Sequence, residues 1–118
     1  MSIDYPQKHH DPQVIMGRLG CELPGAMAGS AHLHKEAGAA GTLPAKFKEL
    51  MALGVAVVIR CDNCIAYHVH DALKAGATCP EIVETLGVAM MMGGGPATIY
   101  ACEAFEALEQ FEKSNQAQ

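Results

Sequence analysis

The fold is decided by the stretch from Leu43 to His68, which reads LPAKFKELMALGVAVVIRCDNCIAYH. Its β-branched run, Val55 to Ile59, could form a buried strand leading into a helix that opens with two cysteines, as in thioredoxin. The apolar residues before this run, however, recur at three- and four-residue steps, which is the period of a helix. No turn signal separates the run from Phe47 to Met51, and no second β-branched run is present to complete a sheet. The stretch therefore predicts a helix and an all-α protein.

Capping and turn signals divide the chain into about six helices. Asp11 with Pro12 is typical of a helix start, and Thr78 and Glu81 have the spacing of a capping box. The predicted helices run from Asp11 to Gly20, from Leu23 to Ala37, from Pro44 to about Ile59, from Asp62 to Ala75, from Thr78 to the glycines at 93–95, and from Pro96 onward. We expect a single all-α domain over residues 11–113, preceded by a flexible N-terminal arm over residues 1–10.

Helical spacing also predicts which apolar residues face the core. These are Leu43, Phe47, Leu50, Met51, Val55 and Val58 in the third helix, Ile82, Val83, Leu86 and Met90 in the fifth, and Ile99, Cys102, Phe105, Leu108 and Phe111 in the last. Half of the residues are hydrophobic, but only 5% are aromatic and many side chains are small. Because so many small side chains cover little core area in 118 residues, we expect a homo-oligomer.

Charge and composition argue against two classes of function. The net charge is −5, from 8 basic and 13 acidic residues, and no basic stripe is present, so a nucleic-acid partner is not expected. The mid-chain apolar stretch from Leu50 to Ile59 is shorter than the ~20 residues of a membrane span. The polar N-terminus lacks a secretory signal, so we expect a cytoplasmic protein. Its five cysteines are then expected as thiols, and a close pair indicates redox or metal chemistry.

Two cysteines and a histidine share one helix face, because Cys61, Cys64 and His68 are three and four residues apart. Such a group suits peroxide reduction, in which a thiolate attacks the O–O bond to give a sulfenic acid and a second thiol condenses with it. A helix start and a neighbouring imidazole both lower the pKa of a thiol, and His68 is placed to take its proton. Glu49, on the preceding helix, could hold the other ring nitrogen if the two helices pack antiparallel.

The same residues also allow a zinc site. Cys61, Cys64 and His68 offer three ligands, and His70 or Glu49 could supply a fourth, although a second paired-ligand motif is missing. A non-catalytic metal-binding or redox-sensing module is therefore an open alternative. We expect His70 to lie on a different face of its helix from Cys64 and His68. The other histidines, His9, His10, His32 and His34, are expected to lie in solvent. The other cysteines, Cys21, Cys79 and Cys102, are expected to be structural thiols.

Two structural signatures follow the cysteine group, the segment Ala72 to Thr78 and the turn Met92 to Ala97. Together with Glu49 and the Cys-x2-Cys-x3-His spacing, they make the stretch from roughly Pro44 to Ala107 resemble the carboxymuconolactone decarboxylase family, specifically its alkylhydroperoxidase D-like branch. The resemblance implies an all-helical subunit in a dimer-based oligomer, often a trimer or hexamer. It implies that Cys64 is the peroxidatic cysteine, Cys61 the resolving cysteine, and His68 with Glu49 the proton relay.

The activity that the resemblance implies is that of a thiol-dependent peroxidase or a disulfide oxidoreductase. It would act on a hydroperoxide or another small molecule, take electrons from a thiol or disulfide donor, and need no cofactor and no metal. The alternative is a 4-carboxymuconolactone decarboxylase-like enzyme that uses His68 and Glu49 without the thiols. One departure concerns the activation of Cys61. The branch usually carries a histidine directly before the second cysteine, whereas Asn63 cannot exchange protons near neutral pH.

Overall fold

The β-branched run after Val55 is helical, because the helix that contains Glu49 continues through Val58. The computed structural model describes residues Ile3 to Gln116, and none of these residues lies in a strand. The helices are α1 (Tyr5–Glu22), α2 (Pro24–Gly38), α3 (Ala45–Val58), α4 (Asp62–Lys74) and α5 (Cys79–Gln116). α3, α4 and α5 pack against one another, α1 lies on α4 and α5, and α2 packs mainly on α1. The all-α prediction is confirmed.

The first helix begins earlier than the sequence predicts. Its N-cap is Asp4, whose carboxylate accepts a hydrogen bond from the backbone N–H of Gln7 at 3.1 Å. Tyr5 is fully buried, and its backbone N–H donates to the side chain of Gln110 in α5 at 2.7 Å. Burial of this aromatic ring and the bond to α5 fasten the start of the helix to the rest of the protein.

The prediction of a flexible arm over residues 1–10 is therefore wrong for Tyr5 to His10, which form the first turns of α1. Met1 and Ser2, which the same prediction included, lie outside the described residues. Pro12, predicted to open the helix, lies inside it instead. The helical part of the chain thus begins before residue 11 and continues to Gln116, beyond the boundaries predicted for the domain.

The long helix α5 is bent where the sequence predicts a break. Gly94 has φ 72° and ψ −150°, a conformation that L side chains rarely adopt, and it divides the helix into two segments, 79–93 and 95–116. The predicted capping box is present at its start, where the backbone N–H of Thr78 donates to Glu81 at 2.8 Å and that of Glu81 donates to Thr78 at 3.2 Å. The break predicted between the fifth and sixth helices is thus present at Gly94, and the two helical segments together are called α5.

The core is built largely from small residues, which the sequence analysis did not place there. In α5 the buried residues include Ala97, Ala101, Ala104 and Ala107 together with Leu108 and Phe111, whereas Ile99, Cys102 and Phe105 are exposed. In α3 the buried residues are Leu50, Leu53, Ala56 and Val57, whereas Phe47, Met51, Val55 and Val58 are exposed. The predicted inward faces are wrong for these exposed residues and for Leu43, Val83 and Met90, which are exposed as well. In α5, alanine lets the helix backbones approach closely and leaves the larger side chains outside.

By length and composition alone, α5 is apolar enough to cross a membrane. Core helices pass the same test, and Ala101, Ala104 and Leu108 of this helix lie in the core described above.

Candidate active site

A tight turn between α3 and α4 positions the first cysteine. Ile59 is the C-cap of α3. The next residue, Arg60, adopts a left-handed conformation with φ 61°. The N–H of Arg60 donates to the carbonyl of Val57 at 3.2 Å, and the N–H of Cys61 donates to that of Ala56 at 3.1 Å. These two bonds define a Schellman motif, in which glycine is the usual left-handed residue. The turn makes Cys61 both the last residue of this motif and the N-cap of α4.

Cys61 and Cys64 form a disulfide in the first turn of α4, with their Cα atoms 5.2 Å apart. The backbone N–H of Cys64 donates to the sulfur of Cys61 at 3.2 Å, so this sulfur takes the place of the usual capping oxygen. When the disulfide is reduced, the free N–H groups and the dipole at the start of α4 stabilise a thiolate in the first turn of this helix. The predicted placement of the two cysteines at a helix start is therefore present in the structure.

His68 lies one turn after Cys64 and is held by Glu49 of α3. The distance between His68 Nδ1 and Glu49 Oε2 is 2.8 Å, and the two side chains are only 20% and 21% exposed. Because a carboxylate can only accept a hydrogen bond, this contact places a proton on Nδ1, and in the neutral imidazole Nε2 is then an acceptor. The structure thus brings together the helix pair and the two side chains that the sequence analysis linked.

A cavity of about 510 Å³ lies beside this group, between α1, α2 and α4. Cys64 and His68 line it, and Cys61 is not among its lining residues. The walls that face them include Met16 of α1 and Met27, Ser30 and His34 of α2. Cavities of this size hold small organic ligands in other proteins. His34 is exposed, as expected, and also forms part of the cavity wall.

Negative charge is concentrated behind the cysteine turn. Tyr5, Asp62 and Glu103 each place a buried side-chain oxygen there without a hydrogen-bond partner among the described residues. Burial, followed by the charges of Asp62 and Glu106, raises the pKa of Glu103. Burial, followed by the charge of Glu103, also raises the pKa of Tyr5. These carboxyl groups therefore meet near the start of α4, where the disulfide lies.

The other three cysteines differ from one another. Cys79 packs against the core, and its thiol donates to the carboxylate of Glu112 at 2.6 Å, a bond that raises the pKa of the thiol. Cys21 and Cys102 are exposed, so the expectation that they are structural thiols is not met.

Two histidines that the sequence analysis did not link to each other meet next to the cavity. The rings of His9 in α1 and His70 in α4 are stacked, with centroids 3.9 Å apart. Burial, followed by the charge of His70, lowers the pKa of His9. His9 is half-buried and not in solvent as expected, whereas His70 faces away from the side of α4 that carries Cys64 and His68, as expected, and contacts His9 instead. No spacing in the sequence identifies this pair, because it depends on how α1 packs on α4.

This combination of helices, disulfide and Glu49–His68 pair corresponds to a known family. A model of the carboxymuconolactone decarboxylase family matches residues 24–107. The chain belongs to this family, so the resemblance seen in the sequence is confirmed.

The solved structures that resemble the chain come from the same family. A carboxymuconolactone decarboxylase family protein from Legionella pneumophila is 39% identical, with a TM-score of 0.87 over 91% of this chain and 96% of that one. A family member from Thermotoga maritima, for which a part in the antioxidative response has been suggested, is 28% identical, with a TM-score of 0.74 over 86% and 93%. An uncharacterized protein from Cupriavidus necator is 41% identical over 78% of this chain and 84% of its own length.

Proposed function

We propose that the protein is a cytoplasmic thiol-dependent peroxidase or disulfide oxidoreductase in which Cys64 attacks, Cys61 resolves, and His68 with Glu49 moves the proton. The observation that carries this proposal is that Cys64 and His68 line one cavity while Glu49 holds His68 at 2.8 Å. Membership of the carboxymuconolactone decarboxylase family supports it, as does the antioxidative role suggested for the relative from Thermotoga maritima.

The first chemical step uses the proton relay. In the reduced protein, Nε2 of His68 takes the thiol proton of Cys64, and Glu49 stabilises the resulting imidazolium. The Cys64 thiolate attacks the distal oxygen of a hydroperoxide, the O–O bond breaks, and the imidazolium returns the proton to the leaving alkoxide. The products are an alcohol and a sulfenic acid on Cys64.

The second step gives the disulfide that the structure contains. The thiol of Cys61 attacks the sulfenic acid, and one water molecule leaves as the Cys61–Cys64 bond forms. An external dithiol then reduces this bond and becomes a disulfide itself, which closes the cycle. Because Cys64 lines the cavity with His68 and Cys61 does not, we assign attack to Cys64 and resolution to Cys61.

The proposal is tested by adding one equivalent of cumene hydroperoxide to the reduced protein. We expect rapid loss of peroxide and a two-hydrogen decrease in the mass of the peptide that contains Cys61 and Cys64. Cys64→Ser should abolish peroxide loss. Cys61→Ser should consume one equivalent and stop with a sulfenic acid on Cys64, which a dimedone adduct detects.

Cys102→Ser is the matched control, because Cys102 is an exposed thiol outside the site, and this variant should react like the unmodified protein. Peroxide loss that persists in Cys64→Ser would remove Cys64 from its assigned role. If the peptide stays reduced and peroxide persists in the unmodified protein, the peroxidase proposal is wrong. Lactone decarboxylation that survives alkylation of both thiols would then favour the decarboxylase alternative.

We also propose that the protein forms a homo-oligomer through the exposed apolar residues of α3 and α5. A groove of about 660 Å³ runs between these helices, and its walls include Phe47, Met51, Val55, Val88 and Met92. No charged side chain lines it. Interfaces between identical subunits are similarly apolar and poor in charge at their centres. A second copy of the chain is therefore the partner that this surface fits.

A further inference from the structure

The stacked histidines next to the cavity form a cluster with an adjacent carboxylate. His70 Nδ1 lies 2.9 Å from Asp71 Oδ1, and His9 stacks on the His70 ring. One possible ligand atom from each of His9, His70 and Asp71 lies within 4.8 Å of the others. All three residues are half-buried, so the cluster is partly shielded from bulk water. None of them takes part in the relay from Glu49 to His68.

We propose that His9, His70 and Asp71 form a binding site for a divalent transition metal ion of the zinc type. Two imidazoles and one carboxylate are a donor set that zinc accepts, with water in the remaining position. Zinc bonds of about 2.0–2.2 Å place neighbouring donors roughly 3.4 Å apart in a tetrahedral site. The His70–Asp71 separation is 2.9 Å and none in the group exceeds 4.8 Å, so modest side-chain movements would bring the three donors to one ion.

Binding changes the proton arrangement of the cluster. The contact between His70 Nδ1 and Asp71 Oδ1 is a hydrogen bond when Nδ1 carries the proton. An ion that binds both atoms replaces this bond, and the His70 proton then resides on Nε2. Both imidazoles must be neutral to act as ligands, so protons compete with the ion for this site.

The surroundings of the cluster favour an ordered site. The ring of Tyr67 is 4.8 Å from that of His9, and Phe111 of α5 packs edge-on against both histidines, with its centroid 6.1 Å from His9 and 5.6 Å from His70. An apolar shell of this kind limits the access of water and fixes the orientation of the ligands. The buried aromatic ring of Phe111 also ties the cluster to the protein core.

An ion at this site would join α1 to α4 beside the cavity. His9 belongs to α1, which also supplies Met16 to the cavity wall, and Asp71 itself lines the cavity. The ion would therefore hold in place the wall that faces Cys64 and His68. The site goes beyond the peroxidase proposal and does not rest on it, since its three ligands are separate from the reacting residues.

The test is titration of ZnCl2 into tag-free protein that keeps its Cys61–Cys64 disulfide, so that these two sulfurs are not free to bind zinc. Calorimetry should show one ion per chain, and bound zinc should raise the melting temperature. His9→Ala, His70→Ala and Asp71→Asn should each weaken binding by about 100-fold or more, because even the loss of an outer partner weakens metal sites by about 10- to 100-fold.

His10→Ala is the matched control, because His10 is the exposed neighbour of His9, and it should bind zinc like the unmodified protein. If His70→Ala does not fold, His9→Ala and Asp71→Asn decide the question. Cobalt provides an independent readout, since ligation by histidine and aspartate gives d–d absorption without a thiolate charge-transfer band. Equal zinc affinity in His9→Ala, a thiolate band with cobalt, or no zinc binding by the unmodified protein would each overturn the proposal.

Discussion

At the scale of single residues, the proton relay depends on His68 and on the carboxylate that orients it. Removing a positioned general base typically costs about 100- to 10,000-fold in rate. We therefore expect His68→Ala to slow the oxidation of Cys64 by an organic hydroperoxide by a factor in this range. Glu49→Gln should have a smaller effect, because the amide keeps a hydrogen bond to Nδ1 at 2.8 Å but loses the charge that stabilises the imidazolium.

Stopped-flow measurement of the reduced proteins at neutral pH checks both variants. His32→Ala is the control, since this histidine is exposed on α2 and outside the cavity lining. An unchanged rate in His68→Ala would show that the Cys64 thiolate forms without the relay.

Glu103 should make stability depend on pH. Its pKa is raised above the ordinary value of 4.5 by burial first and by the charges of Asp62 and Glu106 next. The folded protein therefore holds this proton more tightly than the unfolded chain does. The contribution of this proton to the free energy of unfolding is fully present below pH 4.5. It is lost as the pH rises through the pKa that Glu103 has in the folded protein. Glu103→Gln removes this loss, so the variant should be more stable than the unmodified protein at pH 7.5.

Urea unfolding at pH 4 and pH 7.5 measures the difference. The gain in the free energy of unfolding from Glu103→Gln should be larger at pH 7.5 than at pH 4. Glu109→Gln, at an exposed position of the same helix, should show little change at either pH. Equal gains at the two pH values would mean that the charge of Glu103 is not their cause.

The residues of the relay could be predicted from the sequence, whereas the histidine cluster could not. Cys61, Cys64 and His68 lie within one helical segment, where spacing alone determines which side chains share a face. Glu49 is identified through the family resemblance, because a glutamate within a helix usually lies in water, and the packing of two consecutive helices then accounts for its contact with His68. The contact between His9 and His70 depends on a helix that begins at Tyr5 and packs across α4, for which the polar N-terminal sequence carries no periodic signal.

At the scale of elements, two turns of the same type end α3 and α4 with different residues. Both are Schellman motifs, with Arg60 at φ 61° after α3 and Gly76 at φ 96° after α4. A left-handed conformation costs a residue with a side chain roughly 1–2 kcal/mol, whereas glycine adopts it freely. We therefore expect Arg60→Gly to raise the free energy of unfolding by up to about 1 kcal/mol, and Gly76→Ala to lower it by about 1 kcal/mol.

Chemical denaturation of the oxidised protein checks both changes. Gly41→Ala is a control at an exposed loop glycine without a left-handed φ, and the cost found for Gly76→Ala should be absent there. Destabilisation by Arg60→Gly would show that the arginine side chain stabilises the turn by more than its backbone conformation costs.

The sequence predicts the helices better than it predicts their faces. Periodicity and capping give the bounds of α3 and α4 and the kink at Gly94, because these depend on local interactions. The choice of inward face is not local. In α5, close packing of the helix backbones turns a stripe of alanines inward, whereas the buried stripe of α3 consists of Leu50, Leu53, Ala56 and Val57. A rule that turns the largest apolar residues inward therefore fails for Val55 and Ile99.

At the scale of the whole molecule, several large apolar side chains are exposed outside the core, and we expect a partner surface to cover them. Val55, in the groove between α3 and α5, is 57% exposed. A glutamate at this position costs the isolated subunit little, because it faces water there. In an assembly it would bury an unpaired charge at an apolar interface, which is strongly unfavourable.

We therefore expect the unmodified protein to scatter light with a mass that is a multiple of 12.5 kDa at micromolar concentration, and Val55→Glu to shift that mass toward a smaller assembly. Gln116→Glu adds the same charge at an exposed position outside the groove and should leave the mass unchanged. Circular dichroism should show equal helix content in all three proteins, so that a lower mass reflects a broken interface and not unfolding. A single-subunit mass for the unmodified protein contradicts the homo-oligomer. An unchanged multiple in Val55→Glu places the interface on another face, such as the exposed surface of α1 and α2.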